Sequence, residues 1–481
     1  MSRVTIFASL SVIFLSCATR EVVPPTAFGP TPSKSQLEWH AMEMNAFVHF
    51  SLNTFTGKEW GYGDEKPALF DPKSFNADQW IDAFKNTGFK GVILTCKHHD
   101  GFCLWPTEFS EHSVKKSPFK NGLGDVVKDV SESCKRKGLK FGIYLSPWDR
   151  NRADYGEAGY LEYYRNQLKE LFTNYGPVFE MWFDGANGGD GYYGGANEKR
   201  RINGATYYDW PTTLNLVREM EPDIIFFSDA GPGVRWVGNE RGIAGETNWC
   251  TISPDTLFAG KAGIQELLNV GHENGTAWIP AEVDVSIRPG WFYHAHEDSL
   301  VKSPEQLFEI YLTSVGRGST LLLNIPPDTR GLIHENDLRS LQGFRKMLDN
   351  EFRTNIVTNA KASSSAHRGD ADIFHASKTI DEDQETYWSL NDDSTSGYVE
   401  LDLEQPHAVK YVVLQEYIKL GQRVRSFKIE AKVGDNWKVI GTGTTIGYKR
   451  ILRVEPTETN KIRVSIADAK ACPLISSIDV Y

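Results

Sequence analysis

The chain has 481 residues, of which 40% are hydrophobic and 12% aromatic, with 13 Trp, and a net charge of −11. Such a length holds two or three domains with sizeable cores. The acidic balance and the absence of a basic stripe argue against nucleic acid or anionic lipid as a partner, and the many flat Trp faces suit sugar rings.

The N-terminus reads as an export signal. Arg3 precedes a mostly apolar run, Val4 to Ser16, that is too short to span a bilayer as a mature helix. It ends in Phe14-Leu15-Ser16-Cys17, which resembles a bacterial lipoprotein signal except that Phe14 stands where Leu is preferred. The expectation is a signal over residues 1–17 and an acylated Cys17 that anchors a periplasmic or outer-membrane protein. Residues 18–35, with four prolines from Arg20 on, then form an extended tether. The plainer reading is a soluble secretory signal with an incidental Cys. Five further cysteines are an odd number, so buried free thiols are expected. No Cys/His spacing suits zinc.

From Gln36 onward, short apolar runs alternate with amphipathic stretches. Ala46–Phe50 reads as strand one. Asn76 caps a helix over Ala77–Asn86 that Gly88 closes. Gly91–Thr95 is strand two, Asp125–Lys137 its return helix, and Phe141–Tyr144 strand three. Leu161–Tyr175 is helical and stops at Gly176-Pro177. Phe179–Phe183 is strand four, Thr212–Met220 a helix and Asp223–Ser228 strand five. Ile243–Trp249 is the candidate for strand six, Ala281–Asp284 for seven and Thr320–Ile325 for eight. About eight strand–helix units over residues 36–350 predict an α/β fold of the (β/α)8 barrel type. A doubly wound sheet would want a glycine-rich phosphate loop after strand one, and none is present.

Near Phe352 the helical period gives way to short alternating strands, as in an antiparallel β-sandwich over residues 351–481. Thr379-Ile380-Asp381, Thr386-Tyr387-Trp388 and Tyr398–Leu403 resemble discoidin-type (coagulation-factor C-type) sandwiches. That resemblance implies a carbohydrate-binding module, in some members with a structural calcium. A packing domain without a ligand is the equal alternative.

The barrel strands end in polar groups, and in this fold those ends form the active-site face. His49 ends strand one, with Glu59 and Trp60 in the loop after it. His98 and His99 end strand two, Tyr144 strand three and Asp184 strand four, with Trp182 on the same strand face as Asp184. Downstream come Trp236-Val237-Gly238-Asn239-Glu240 and Arg288-Pro289-Gly290-Trp291. Adjacent histidines point to opposite faces and make a poor chelate, so no catalytic metal is expected, and no Gly-x-Ser-x-Gly elbow supports a serine nucleophile. A glycosidase needs two carboxyl groups flanking the bond. Asp184 is the first candidate, while Glu240, Glu246, Glu282 and Asp229 compete for the second place.

Phe47-Val48-His49-Phe50, Lys97-His98-His99-Asp100-Gly101-Phe102 and Trp182-Phe183-Asp184-Gly185, in that order, resemble the α-L-fucosidases of glycoside hydrolase family 29 over roughly residues 36–345. The resemblance implies a retaining exo-fucosidase that needs no cofactor, with Asp184 as nucleophile. It puts His49, His98, His99, Tyr144 and Trp182 around the fucose. Thr54–Trp60 and Trp236–Glu240 look like the branch that prefers α-1,3 and α-1,4 links on Lewis-type glycans. That branch makes Glu240 the acid/base, with Glu59, Trp60, Arg288 and Trp291 completing the pocket, and Glu282 is the runner-up. The competing functions are a non-catalytic fucosylated-glycan-binding lipoprotein, another exo-glycosidase on the same barrel and an inverting hydrolase.

Overall fold

The computed structural model describes residues 22–481, so the signal and Cys17 fall outside the described residues. Eight parallel strands close into a barrel: β1 Met44–Val48, β2 Gly91–Lys97, β3 Lys140–Leu145, β4 Glu180–Trp182, β5 Ile225–Ser228, β6 Val234–Trp236, β7 Ala281–Ser286 and β8 Thr320–Asn324. β1 and β8 pair, completing the ring. Every residue of β1, β2, β7 and β8 is buried, as expected for strands covered by helices outside and by packed side chains inside.

The helices form where their local chemistry directs. In α1, Ala77–Thr87, Asn76 accepts from the Gln79 N–H, and Ala77, Trp80, Ile81 and Phe84 turn one stripe inward. Gly88 ends it at φ 104°, a conformation that favours glycine. In α2, Val126–Lys137, Asp125 caps the first turn and Gly138 closes the last. The later helices α3 Ala158–Tyr175 and α4 Trp210–Met220 begin a few residues before their sequence-predicted starts.

Strand six is a correction. It is Val234–Trp236, not Ile243–Trp249, and it lies parallel to β5 with Phe227 opposite Val234 and Ser228 opposite Arg235. Residues 229–233 make the return without a helix. A Cβ at Gly233 would sit 2.7 Å from the Phe226 backbone N and O, so glycine permits this close pass. The segment after β6 is fixed from inside instead. The buried Arg235 guanidinium donates to Leu268 O (2.8 Å), Trp249 O (3.0 Å) and Asn248 Oδ1 (3.1 Å).

The C-terminal unit is an antiparallel sandwich-like sheet of β9 Gly397–Glu416, β10 Val424–Val433, β11 Asn436–Gly443, β12 Arg450–Ala469 and β13 Leu474–Val480, with shorter strands at Lys361–Ser364 and Trp388–Ser389. Two of the strands are much longer than the short ones expected. β9 and β12 are each 20 residues long and shift register between Asp402 and His407 and between Val409 and Tyr411. The tether is also corrected in its described part. Residues 22–33 are extended but seated on the sandwich: Arg368 Nε donates to Val23 O (2.7 Å), Arg423 Nη2 to Thr26 O (2.7 Å), and the Phe28 N–H to Leu420 O (3.0 Å). Cys96, Cys103, Cys134, Cys250 and Cys472 are buried free thiols.

Candidate active site

Inward-facing residues of the barrel stack in layers two residues apart. On β4 the column is Glu180, Trp182 and then Asp184 just past the strand. On β7 it is Glu282, Asp284 and Ser286. The lowest layer holds Glu180 and Glu282, the middle layer is largely aromatic, and the upper layer opens into a cavity of about 410 Å³.

Asp184 and Glu240 both line that cavity. Asp184 Oδ1 accepts the Ala186 N–H at 2.7 Å, and Oδ2 accepts the Tyr144 hydroxyl at 2.9 Å. His99 Nε2 stands 3.7 Å from the same oxygen. Burial pushes the Asp184 pKa up, and the two donors pull it back by favouring the ionised form. Glu240 Oε2 accepts from Trp291 Nε1 at 3.3 Å. Burial raises its pKa, and the negative charges of Asp184 and Glu59 add to the effect.

His49, His98, His99, Trp60, Trp182 and Trp291 line the same cavity. Burial keeps the imidazoles neutral, lowering His49 and His99 to about 3 and His98 in the same direction. His49 Nδ1 meets Asn324 Oδ1 at 2.8 Å and His99 Nδ1 meets Ser146 Oγ at 2.7 Å, which fixes both rings. His98 Nδ1 is buried without a protein partner among the described residues. Neutral imidazoles can each donate and accept, which suits hydroxyl groups. Trp182 stacks on Phe227 with centroids 3.9 Å apart and meets Phe47 at 5.1 Å. Phe47 and Trp182, with Trp236 and Ile264, make an apolar flank of the cavity. Trp60, 52% exposed, stands edge-on to His99 at the rim.

Four expectations come out differently. Tyr144 is fully buried and is not among the cavity-lining residues; it reaches the site only through Asp184. Arg288 does not reach the cavity. It is fully buried, donating through Nε and Nη2 to Asp337 (2.7 Å at the closest) and through Nη1 to Asp298 (2.9 Å). A buried guanidinium needs such partners, and two carboxylates from outside the barrel interior supply them. Glu59 braces the pocket from behind, accepting the Trp291 N–H at 2.8 Å and meeting His294 Nε2 at 2.6 Å. Glu282 lies under the aromatic layer, where Oε1 accepts Trp182 Nε1 at 3.0 Å. Glu180 accepts Trp39 Nε1 at 3.1 Å. Burial pushes both carboxyls up, Glu180 to about 8; the neighbouring Glu180 raises Glu282 further, whereas the contacts with Glu282 and Trp39 pull Glu180 back, and the pair is biased toward its protonated form.

Asp284 is a cavity residue that the sequence reading passed over. It accepts Trp236 Nε1 at 2.8 Å, and burial, helped by the charge of Glu240, pushes its pKa well up. The signal was present: Asp284 follows Glu282 by two, so it shares the inward face one layer nearer the site. Among the described residues no three His, Cys, Asp or Glu side chains converge as metal ligands.

A barrel with two carboxylates above an aromatic floor, ringed by neutral imidazoles, defines a glycoside hydrolase. The α-L-fucosidase family model matches residues 27–351, and the F5/8 type C domain model matches residues 359–478. α-L-Fucosidase 1 of Arabidopsis thaliana is 40% identical, covering 99% of this chain and 92% of its own length. A glycoside hydrolase 29 family member from an unknown rumen bacterium superposes with a TM-score of 0.85 at 42% identity, covering 95% of this chain and 78% of that one. A Ruminococcus gnavus GH29 fucosidase in complex with fucose gives 0.86 at 34% identity, covering 96% and 97%. The chain belongs to the α-L-fucosidase family, glycoside hydrolase family 29, and is an α-L-fucosidase.

Proposed function

We propose that the chain is a retaining exo-enzyme that releases terminal α-1,3- or α-1,4-linked L-fucose from Lewis-type glycans by double displacement. The observation that carries this reading is the pairing of Asp184 and Glu240 on one cavity, the first accepting from two donors that favour its ionised form and the second biased toward its acid form. In the first step an Asp184 oxygen bonds to the anomeric carbon while the bond to the leaving oxygen breaks, and Glu240 gives that oxygen its proton. In the second step Glu240, now a carboxylate, takes a proton from water. The water oxygen bonds to the anomeric carbon and Asp184 leaves, so configuration is retained. His49, His98 and His99 supply donors and acceptors for the fucose hydroxyls, and the Phe47, Trp182 and Trp236 faces suit its methyl group. The linkage preference rests on the Trp236–Glu240 and Thr54–Trp60 motifs and on a rim open at Trp60.

The test is the leaving-group dependence of Glu240→Ala. A sugar alcohol leaves only when protonated, whereas fluoride needs far less help. Glu240→Ala should lose roughly 10²–10⁴-fold on a fucosylated trisaccharide yet still form the fucosyl-enzyme from fucosyl fluoride, with azide speeding its turnover. Equal losses on the two substrates would remove Glu240 as acid/base.

A further inference from the structure

Asp229 is a further carboxylate on the cavity and has no part in the two steps above. It follows β5 and continues the inward column of Ile225 and Phe227. Its Oδ2 accepts the Gly260 N–H at 2.7 Å. Gly260 belongs to the segment 257–265, of which Lys261, Ile264 and Gln265 also line the cavity mouth.

The junction is closely fitted. Gly260 has φ +77°, and a Cβ there would lie 2.5 Å from Gly185 O and would collide with Asn187 Nδ2. A Cβ at Gly185 would strike the Asp229 carboxylate. Asn187 Nδ2 in turn donates to Gly185 O at 2.8 Å. Three segments therefore meet at one point: the turn just after Asp184, the tip of β5, and the 257–265 wall. At its far end the wall abuts the segment that carries Glu240. A Cβ at Gly238 would fall 3.1 Å from Gln265 Cα, and Asn269 Nδ2 donates to Val237 O at 3.1 Å.

The placement of this wall gives it a role. The fucose cradle comes from the tips of β1, β2 and β4 with Trp236 at the end of β6, whereas the wall and Glu240 share the excursion between β6 and β7. An acid that protonates the glycosidic oxygen faces the leaving group, so its neighbours on that excursion flank the leaving group too.

We propose that Asp229 is a positioning residue that selects for a sugar leaving group by latching Gly260 and so holding the 257–265 wall against it. This rests on the Asp184–Glu240 site assigned above. The burial of Asp229, which with the charge of Asp184 raises its pKa to about 6, agrees with a carboxylate spent on structure rather than on solvent.

The test compares Asp229→Ala and Asp229→Asn in the full-length enzyme on a fucosylated trisaccharide and on fucosyl fluoride, which has no leaving-group sugar. Asp229→Ala should lose about ten-fold more kcat/KM on the trisaccharide than on the fluoride, mostly through KM, the worth of one charge-assisted hydrogen bond. Asp229→Asn keeps an oxygen for the Gly260 N–H and should restore most of the trisaccharide KM. Gly260→Ala breaks the same junction from the other side and should reproduce the selective loss even if Asp229→Ala folds poorly. Losses equal on both substrates, or an Asn variant no better than Ala, overturn the latch. Asp184→Ala is the control for the site. If it still turns over fucosyl fluoride, the site assignment falls and the latch falls with it, whereas its inactivity alongside non-selective Asp229 variants rejects the latch alone.

Discussion

Asp184 shows how one carboxylate is kept reactive in a nearly dry place. Burial raises its pKa and so works against the anion a nucleophile needs, and the Ala186 N–H and the Tyr144 hydroxyl both favour that anion. Tyr144 is the one donor that can be removed without touching the backbone. In Tyr144→Phe the Asp184 pKa should rise. Activity needs the anion, so it is lost as pH falls through that pKa. The acidic limb of the kcat/KM profile should therefore move to higher pH, by roughly one unit for one lost hydrogen bond to a charged group. An unmoved limb would mean that Tyr144 does not set the ionisation of Asp184. Most of this residue-level picture was legible in the sequence, because His49, His98, Tyr144, Trp182 and Asp184 all lie at strand ends, where a barrel exposes its site. Arg288 was misread for a related reason. It too follows a strand end, but a charged side chain there can turn outward, and Asp298 and Asp337 were waiting for it.

At the scale of elements, β4 and β7 each carry acid on the inward face at more than one depth, and depth decides the role. Asp184 opens to the cavity. Glu180 and Glu282 lie two layers below, their pKa values raised by burial, and hold Trp39 and Trp182 by their indole N–H groups. Folding thus raises the pKa of this pair from the usual carboxylate range to about 8 for Glu180. A raised acid binds more protons folded than unfolded, so its contribution is present at low pH and is lost as pH climbs from about 4.5 toward 8, at up to ~1.4 kcal/mol per pH unit for one proton. Glu282→Gln keeps an acceptor for Trp182 but removes one titrating group. Melting followed from pH 5 to 8 should therefore show the wild type losing stability more steeply than the variant, while the variant keeps most of its fucosidase activity. Parallel melting curves would rule out a raised Glu282 pKa, and an inactive, well-folded variant would reopen Glu282 as the acid. The depth of a residue on a strand is readable from period two, which is why Asp284 could have been found. Strand six could not be found that way. β6 is three residues long, carries a buried arginine and returns without a helix, so neither apolar run nor alternation marked it.

At the scale of the whole molecule, the sandwich is joined to the barrel by shared core rather than by a flexible link. Tyr411, Val413 and Ile451 from β9 and β12 are part of the barrel's own apolar cluster, and Phe352 and Tyr481 pack against it. Around that patch the sandwich grips the segment that follows Glu240. Arg450 Nη2 pairs with Glu246 at 2.6 Å, Thr445 Oγ1 accepts the Asn248 N–H at 2.9 Å, and Gln422 Oε1 accepts the Cys250 N–H at 2.7 Å. Among the described residues the cavity is lined by residues 47–291 and by none from the sandwich, so the sandwich acts on the site through the frame and not by lending a side chain. Ile451 separates these two possibilities. It is buried against Gly316, whose carbonyl accepts the Ile451 N–H at 2.9 Å. Trimming it to Ala deletes apolar contact on both sides of the boundary and should cost about 2–5 kcal/mol. If the two units share one core, calorimetry should show a single transition moved down by several degrees, because neither unit can melt and leave the other's apolar face dry. Below that transition, kcat/KM on a fucosylated trisaccharide should stay near that of the wild type. Two separated transitions, with only the sandwich's affected, would show that the units are merely tethered. A large fall in activity well below the melting point would show that the grip on the 246–250 segment reaches Glu240 directly.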